Sequence, residues 1–243
     1  MLKMTSVLQN HFAGAIGWDA VNMYFAPYTV GWKYEQYVQL AQQLIFEFNQ
    51  LAGGRGGQVA FTDINLYYEI PNHFRDVPAI GPGGKFTGKT YADYDKESNM
   101  FLSALFDVYL QGDSRKQPFF FPKPLLHITD YFFKEEGWQE CLYKAAFLSS
   151  EMGNTYYIFD RGGVAKLSEC CRLSFELTPE DLNEAKHPWK MRHCALQNIT
   201  INLPRIAYRA NGDKELLFDL INEEMELVSK AHMQKREFLK QIL

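Results

Sequence analysis

Apolar and polar positions follow two different periods along the chain, and these predict a succession of helices and strands. Residues 37–51, 99–110, 138–151 and 213–241 carry apolar residues at the spacing of amphipathic helices. Residues 58–66 alternate as a half-buried strand does, and residues 155–159 and 199–208 are also predicted strands. Prolines at positions 122 and 124 exclude helix from residues 119–128, which we expect to be extended. This succession predicts an α/β architecture with parallel strand pairing.

A glycine- and proline-rich segment at residues 71–89 interrupts this pattern, and we interpret it as an excursion within one domain. Residues 83–90 satisfy the phosphate-loop pattern GxxxxGK[ST]. A working phosphate loop follows a buried strand and opens a helix, whereas residues 75–82 contain two prolines and lack an apolar run. A flexible glycine-rich loop is therefore the favoured interpretation.

Composition and charge exclude several classes of protein. The chain has 243 residues, 47% of them apolar, which is sufficient for one large domain or two modest ones. Its net charge is −4 and no basic run stands out, so we expect no nucleic-acid partner. The longest apolar stretches are too short to span a membrane, and no signal peptide precedes them. Four cysteines are too few for a secreted disulfide framework, which predicts a cytoplasmic location.

The cysteines carry the candidate chemistry. Cys170 and Cys171 are adjacent and precede Arg172, and Cys194 follows Cys171 by 23 positions. A disulfide between neighbours is strained, whereas a fixed thiol with a second thiol nearby suits thiyl-radical chemistry. The charge of Arg172 would favour a thiolate or orient a neighbouring group. The alternative is that both cysteines are small buried residues, which is also our interpretation of Cys141 in its predicted helix.

Histidines and glycines are less specific. The histidines show no metal-ligand spacing, so a catalytic metal is not expected, and His127 is interpreted as a satisfied core histidine. The glycine cluster at residues 53–57 allows either close approach of a ligand to the backbone or a helix end followed by a turn.

Several of these segments together resemble the anaerobic (class III) ribonucleotide reductase catalytic subunit, a glycyl-radical enzyme. Gly56-Gly57-Gln58 resembles its Gly-Gly-Gln turn, and residues 118–124 with 127–129 resemble its Phe-Pro strand. Cys170-Cys171-Arg172-Leu173 resembles its finger-loop motif, and residues 200–208 resemble the strand after the finger. The resemblance implies an α/β fold that is half or more of a ten-stranded barrel, with a thiyl finger loop.

The resemblance also implies a mechanism and roles for individual residues. A glycyl radical oxidises Cys171, and the resulting thiyl radical abstracts the ribose 3′ hydrogen of a ribonucleoside triphosphate. The formate-using branch of the family has a second cysteine on the first barrel strand, which residues 8–18 lack, so Cys194 is instead a candidate reducing thiol together with Cys170 or Cys171. Gly57, Gln58, Arg172 and Asn202 are the expected substrate-binding residues. The implied partners are a radical-SAM activating enzyme, a thioredoxin- or glutaredoxin-like reductant or formate, and a second copy in a homodimer.

The chain lacks parts that the resemblance leads one to expect. Residues 1–243 contain no glycyl-radical loop, no four-cysteine zinc module and no N-terminal regulatory cone. We therefore expect a single segment, an N-terminal half-barrel plus cysteine finger, that is inactive without its missing C-terminal half. The alternatives are a formate-lyase-like glycyl-radical enzyme, and a non-catalytic fragment that binds nucleotide or a partner half-barrel. Exposed apolar surface would accompany the latter.

Overall fold

The computed structural model describes residues 1–12, 14–50, 60–162, 166–169, 173–176, 178–185, 187 and 195–242. The chain divides into two compact units, Met1–Met191 and Arg192–Leu243, and each is described by itself. The predicted single barrel segment stays a prediction. Gly57, Gln58, Cys170, Cys171, Arg172 and Cys194 lie outside the described residues.

Helices and strands alternate through the first unit, as the periodicity predicts. The helices are α1 (Leu2–His11), α2 (Val21–Phe25), α3 (Tyr34–Gln50), α4 (Asn72–Arg75), α5 (Asp95–Gln111), α6 (Trp138–Met152) and α7 (Pro179–Ala185). The strands are β1 (Ile16–Trp18), β2 (Thr62–Tyr67), β3 (Pro78–Gly81), β4 (Lys85–Thr90), β5 (Lys123–Thr129), β6 (Tyr156–Asp160), β7 (Lys166–Glu169) and β8 (Leu173–Glu176). The three helices predicted before residue 152 and the strands at 58–66, 119–128 and 155–159 are confirmed, with shifted ends.

The main sheet has four strands in the order β1-β2-β5-β6, all parallel. One face of the sheet is apolar, with Ile64 and Leu66 on β2 beside Leu126 and Ile128 on β5. This face packs against buried residues of α3 and α5, namely Ala41, Leu44, Ile45, Phe48, Phe101, Leu102, Leu105 and Phe106. An α/β fold with a parallel sheet is thereby confirmed, while the ten-stranded barrel and the finger loop stay predictions.

A polar cluster ties together three helices that cover this face. The Tyr34 hydroxyl, at the start of α3, donates to Asp107 on α5. Lys144 on α6 lies 2.5 Å from Asp107 Oδ1 and donates to the Ser103 carbonyl oxygen at 3.0 Å. These half-buried contacts fix α3 and α6 against α5.

Residues 78–90 form a β-hairpin, so the predicted flexible loop is wrong for this segment. β3 and β4 are antiparallel, with Ile80 opposite Phe86. The phosphate-loop pattern extends along β4, and the Thr90 amide donates to Asp93 at 2.8 Å in a capping box. Because Lys85–Thr90 form a strand, the pattern does not make the loop between a strand and a helix that a phosphate loop requires.

The second unit is a helical hairpin of α8 (Leu203–Ala210) and α9 (Lys214–Ile242). The helix predicted at residues 213–241 is confirmed, but the strand predicted at 199–208 is wrong. Asn202 is the N-cap of α8, and its side chain accepts from the Arg205 amide at 3.0 Å, with proline at the start of the helix. Ile206 and Ala210 are then one helical turn apart and pack with Leu220 of α9.

Gly112, which ends α5, provides a first testable prediction. Its φ of 66° and ψ of −171° are essentially restricted to glycine, and an added Cβ would lie 2.8 Å from the Gln117 carbonyl oxygen. We expect Gly112→Ala to lower the free energy of unfolding by about 2–4 kcal/mol in urea titrations. Gly153 also has positive φ but open space around it, so Gly153→Ala should cost only about 1 kcal/mol. Equal losses in the two variants would contradict the steric argument.

Candidate functional site

The second face of the parallel sheet is polar and yet buried. Buried strands of parallel sheets are ordinarily apolar on both faces, because helices cover them. Here, alternate positions of three neighbouring strands share this face. Beside the apolar Leu125 and Ile158 they carry the buried residues Asp63, Asn65, Tyr67, His127 and Asp160 and the partly buried Thr129. Several of these side chains lie towards the carboxyl ends of their strands, the edge at which α/β sheets bind ligands.

His127 is the centre of this face and is fully buried, with 0% exposure. Its Nδ1 lies 2.6 Å from Asp160 Oδ2, and its Nε2 lies 2.7 Å from Asn65 Oδ1. Both contacts cross to a neighbouring strand, so the ring links β2, β5 and β6. The prediction of a satisfied core histidine is confirmed, but its partners are polar groups of one continuous network.

Tyr67 covers the imidazole ring. The two rings stack with centroids 4.3 Å apart and planes 22° apart. Asn22 on α2 fixes the Tyr67 backbone, donating to its carbonyl oxygen at 2.7 Å and accepting from its amide at 3.1 Å. Burial raises the pKa of the Tyr67 phenol well above its usual range, and the nearby carboxylate of Asp19 makes a smaller contribution in the same direction. The phenol is therefore neutral at physiological pH.

Glu69 lies two positions after the last residue of β2 and extends the polar face. Thr129 Oγ1 accepts from the amides of Tyr131 and Phe132 at 3.0 and 3.2 Å, and its hydroxyl donates to Glu69 Oε1. Burial raises the pKa of the Glu69 carboxyl to about 6, although the Thr129 hydrogen bond lowers it. Such a carboxyl group can exchange a proton near neutral pH.

Four buried polar atoms at this edge have no hydrogen-bond partner within the part of the chain that the structure describes. They are Tyr67 Oη, Glu69 Oε2, His73 Nε2 and Asp160 Oδ1. The groups are neighbours, since Asp160 and Glu69 act electrostatically on Tyr67, and Asp160 and His127 act on His73. An unsatisfied buried polar group costs about 1–3 kcal/mol, so such atoms are expected to receive partners from a ligand or solvent.

His73 on α4 gives a pH-dependent prediction. Burial lowers the pKa of its imidazole to about 4, with Asp160 raising it and His127 lowering it further. The unfolded chain binds a proton at this histidine below its pKa near 6.5, whereas the folded chain binds it only near pH 4. The fold is therefore most stable above pH 6.5, and this contribution is lost as the pH falls to 4. We expect acidification from pH 7 to pH 4 to remove up to about 3 kcal/mol more from wild type than from His73→Gln in urea titrations. His11→Gln, at an exposed position, should follow wild type; a His73→Gln profile parallel to wild type would contradict the assignment.

The structure locates two of the residues named from sequence. Cys141 lies on α6 as predicted and is partly buried, and burial raises its pKa to about 12, which leaves an unreactive thiol. Asn202 is the helix cap described above, and its role in substrate binding stays a prediction. The roles of the other predicted site residues, which lie outside the described ranges, also stay predictions.

Sequence reasoning missed most of the polar face. The signal was present as alternation, because Asp63 and Asn65 share the phase of Tyr67 and Glu69, and His127 shares that of Thr129. Within the described residues, no group of three or more His, Cys, Asp or Glu side chains is placed to hold a metal ion. In the same ranges, none of the helices combines the length and apolar character that crossing a membrane requires.

Comparison with known proteins gives a consistent result. A family model described as "Anaerobic ribonucleoside-triphosphate reductase" matches residues 1–243. No curated protein matches the chain. A solved structure of an "Anaerobic ribonucleotide reductase" is similar with a TM-score of 0.71 and 16% identity, over 99% of this chain and 37% of that one.

Structures of the anaerobic ribonucleotide reductase from Thermotoga maritima are also similar. The complex with dATP and CTP has a TM-score of 0.68 and 15% identity, covering 99% of this chain and 39% of that one. The structure with citrate in the active site has a TM-score of 0.65, 15% identity and coverage of 99% and 42%. The chain thus spans about two fifths of the solved chains it matches, and at these identities the likeness shows the fold.

Proposed function

The chain belongs to the anaerobic ribonucleoside-triphosphate reductase family, and we propose that it forms part of the catalytic barrel of such a reductase. In this proposal the complete enzyme reduces ribonucleoside triphosphates to deoxyribonucleotides for DNA replication. A thiyl radical on this chain abstracts the 3′ hydrogen of the ribose. The proposed setting is an anaerobic, reducing cytoplasm.

The observation that carries the proposal is the buried polar face at the carboxyl ends of β2, β5 and β6. A ribose offers several hydroxyl groups, each of which both donates and accepts. Asp160 Oδ1 and Glu69 Oε2 are matching acceptors, and the Tyr67 hydroxyl can do either. A buried site also keeps water away from a radical intermediate. This face therefore supports binding of the sugar next to the sheet.

Cys171 is the proposed carrier of the thiyl radical, with Arg172 beside it. Residues 170–172 separate β7 and β8 in the sequence, and these strands pair antiparallel with Glu169 opposite Leu173. Two paired strands so close in sequence support a finger that presents the cysteines. A glycyl radical on another segment supplies the oxidising equivalent that this thiol requires.

The remaining proposed roles concern substrate, reductant and partners. Gly57, Gln58, Arg172 and Asn202 bind the substrate, and Cys170 or Cys194 takes part in reducing it. The partners are a radical-SAM activating enzyme, a thioredoxin- or glutaredoxin-like dithiol or formate, the segment with the glycyl radical and a zinc module, and a second copy of the enzyme. In this proposal the chain is inactive without the glycyl-radical segment.

The test is anaerobic turnover by the active assembly that contains this chain, using ribonucleoside triphosphate with hydrogen or deuterium at C3′. We expect a deoxyribonucleotide product and slower reduction of the deuterated substrate, because the 3′ bond breaks during the reaction. Nucleotide binding without product, from an assembly shown to hold the glycyl radical, would favour the non-catalytic alternative. Acyl transfer from a 2-keto acid would favour the formate-lyase-like alternative.

A separate prediction concerns the proposed reducing thiol. Cys194→Ser in the same assembly should lower turnover with a dithiol donor at least about tenfold, since the serine hydroxyl cannot supply electrons. Turnover with formate should change little. The measurement is steady-state product formation with each donor, and unchanged dithiol-dependent turnover would exclude Cys194 from reduction.

A further inference from the structure

We propose that the His127–Asp160 pair is the proton donor of this site. The pair holds two protons, which is one more than a neutral imidazole beside a carboxylate would hold. The proton count depends only on the geometry of the sheet. The donor step rests on the proposed function, because it assigns the proton to the hydroxyl that leaves the ribose.

Asn65 fixes the state of one ring nitrogen. Its Nδ2 donates to the Trp18 carbonyl oxygen at 3.3 Å, and its Oδ1 lies 2.7 Å from His127 Nε2. A flipped amide would bring its oxygen against the Trp18 carbonyl oxygen, placing two acceptors face to face. An amide oxygen only accepts, so Nε2 of His127 must carry a hydrogen.

Asp160 fixes the state of the other nitrogen. Its Oδ2 lies 2.6 Å from His127 Nδ1, a distance typical of a short charge-assisted hydrogen bond. A proton must lie between these atoms, since two lone pairs at this separation repel. Whether it resides on nitrogen or on oxygen, the pair holds two protons in all, and its net charge is zero.

The surroundings favour a neutral pair. The titratable groups near it are Tyr67 and Glu69 from β2 and its end, Asp63 on the same face, and His73 from α4. Tyr67 stacks on the ring without donating to it. A net charge in a buried environment is strongly unfavourable, whereas a bonded pair without net charge is tolerated.

Asp160 provides the route by which the proton leaves. It is the last residue of β6, is 7% exposed, and its Oδ1 has no hydrogen-bond partner among the described residues. It precedes Cys170 by ten positions in the sequence. The buried imidazole can pass its proton to Asp160 Oδ2, and a half-turn of the carboxyl group about its Cβ–Cγ bond then brings that proton to the position of the unpartnered oxygen.

The proposed step balances in atoms, charge and electrons. In the sugar radical at C3′, the bond from C2′ to oxygen breaks, both electrons leave with the oxygen, and the pair protonates it to water. The sugar then carries a positive charge and the unpaired electron, and it loses its 3′-hydroxyl proton to Glu69 Oε2. A neutral ketone-bearing radical remains, the pair has charge −1, and solvent restores both groups before the next turnover.

The proton count is tested by nitrogen NMR of the 243-residue chain with labelled histidine. At neutral pH we expect two ring protons on His127, one on Nε2 and one shared with Asp160. In Asp160→Asn the introduced amide can donate to Nδ1, so only the Nε2 proton should remain, and the changed resonances identify His127. A single ring proton on Nε2 in wild type, with no proton shared between Nδ1 and Asp160, would overturn the proposal.

The donor step is tested in the active assembly. Asp160→Asn should lower the rate of deoxyribonucleotide formation by about 10²–10⁴-fold, the usual contribution of a general acid. Radical transfer to substrate should persist, and the slow step should become loss of the 2′-hydroxyl. A rate like that of wild type would overturn the donor role. Absence of turnover in wild type would instead contradict the proposed function and leave the NMR result standing.

Discussion

Replacing Cys171 by serine is expected to abolish deoxyribonucleotide formation in the active assembly. A serine hydroxyl holds its hydrogen far more strongly than a thiol, so it cannot be oxidised to the radical that abstracts the 3′ hydrogen. Loss of a residue that makes and breaks bonds lowers turnover by at least about a thousandfold. The measurement is anaerobic product formation, with substrate binding measured separately and expected to remain.

Two further cysteine variants make this result specific. Cys141→Ala removes a half-buried thiol whose raised pKa makes it unreactive, and it should retain turnover close to wild type. Cys170→Ser tests the neighbouring thiol. Turnover by Cys171→Ser together with complete loss in Cys170→Ser would transfer the radical role to Cys170.

The second large effect is on stability and concerns Asp160. Asp160→Ala leaves His127 fully buried with Nδ1 facing no acceptor, and it removes the counter-charge of any imidazolium. Breaking one side of a buried pair costs about 3–5 kcal/mol, and we expect this loss in the free energy of unfolding. Denaturant titration monitored by circular dichroism measures it.

Asp160→Asn is the matched control for this prediction. The amide can still bond to Nδ1, so the expected loss is only about 1 kcal/mol. A loss below about 1 kcal/mol for Asp160→Ala would mean that the pair contributes little to folding. Similar large losses in both variants would mean that the carboxylate charge itself is required.

The sequence was sufficient for the elements whose apolar periodicity is regular. α3, α5, α6 and α9 were predicted because each has a continuous apolar stripe, although on α9 only Leu220 is buried. Residues 199–208 were wrongly predicted to be a strand, because their apolar run is compatible with a strand or a helix. The Asn202 cap and the proline two residues later were the local signals for helix.

The polar face could not be predicted as a site from local pattern. Asn65 and Asp160 are 95 positions apart in the sequence, with His127 between them. Only the strand order β2-β5-β6 brings the three residues together. Each residue alone is compatible with a solvent-exposed strand position or a satisfied core residue. Their common burial, which decides between these interpretations, depends on the pairing of three strands.

The buried polar face has a consequence for laboratory evolution of this protein. Replacing a buried ion pair by apolar residues of similar volume is often neutral or stabilising by about 1–4 kcal/mol. A library sorted for heat resistance alone is therefore expected to accumulate apolar residues at Asn65, His127 and Asp160. Thermostable forms selected in this way would keep the sheet and lose the chemistry, so each round of selection must include a measurement of reduction.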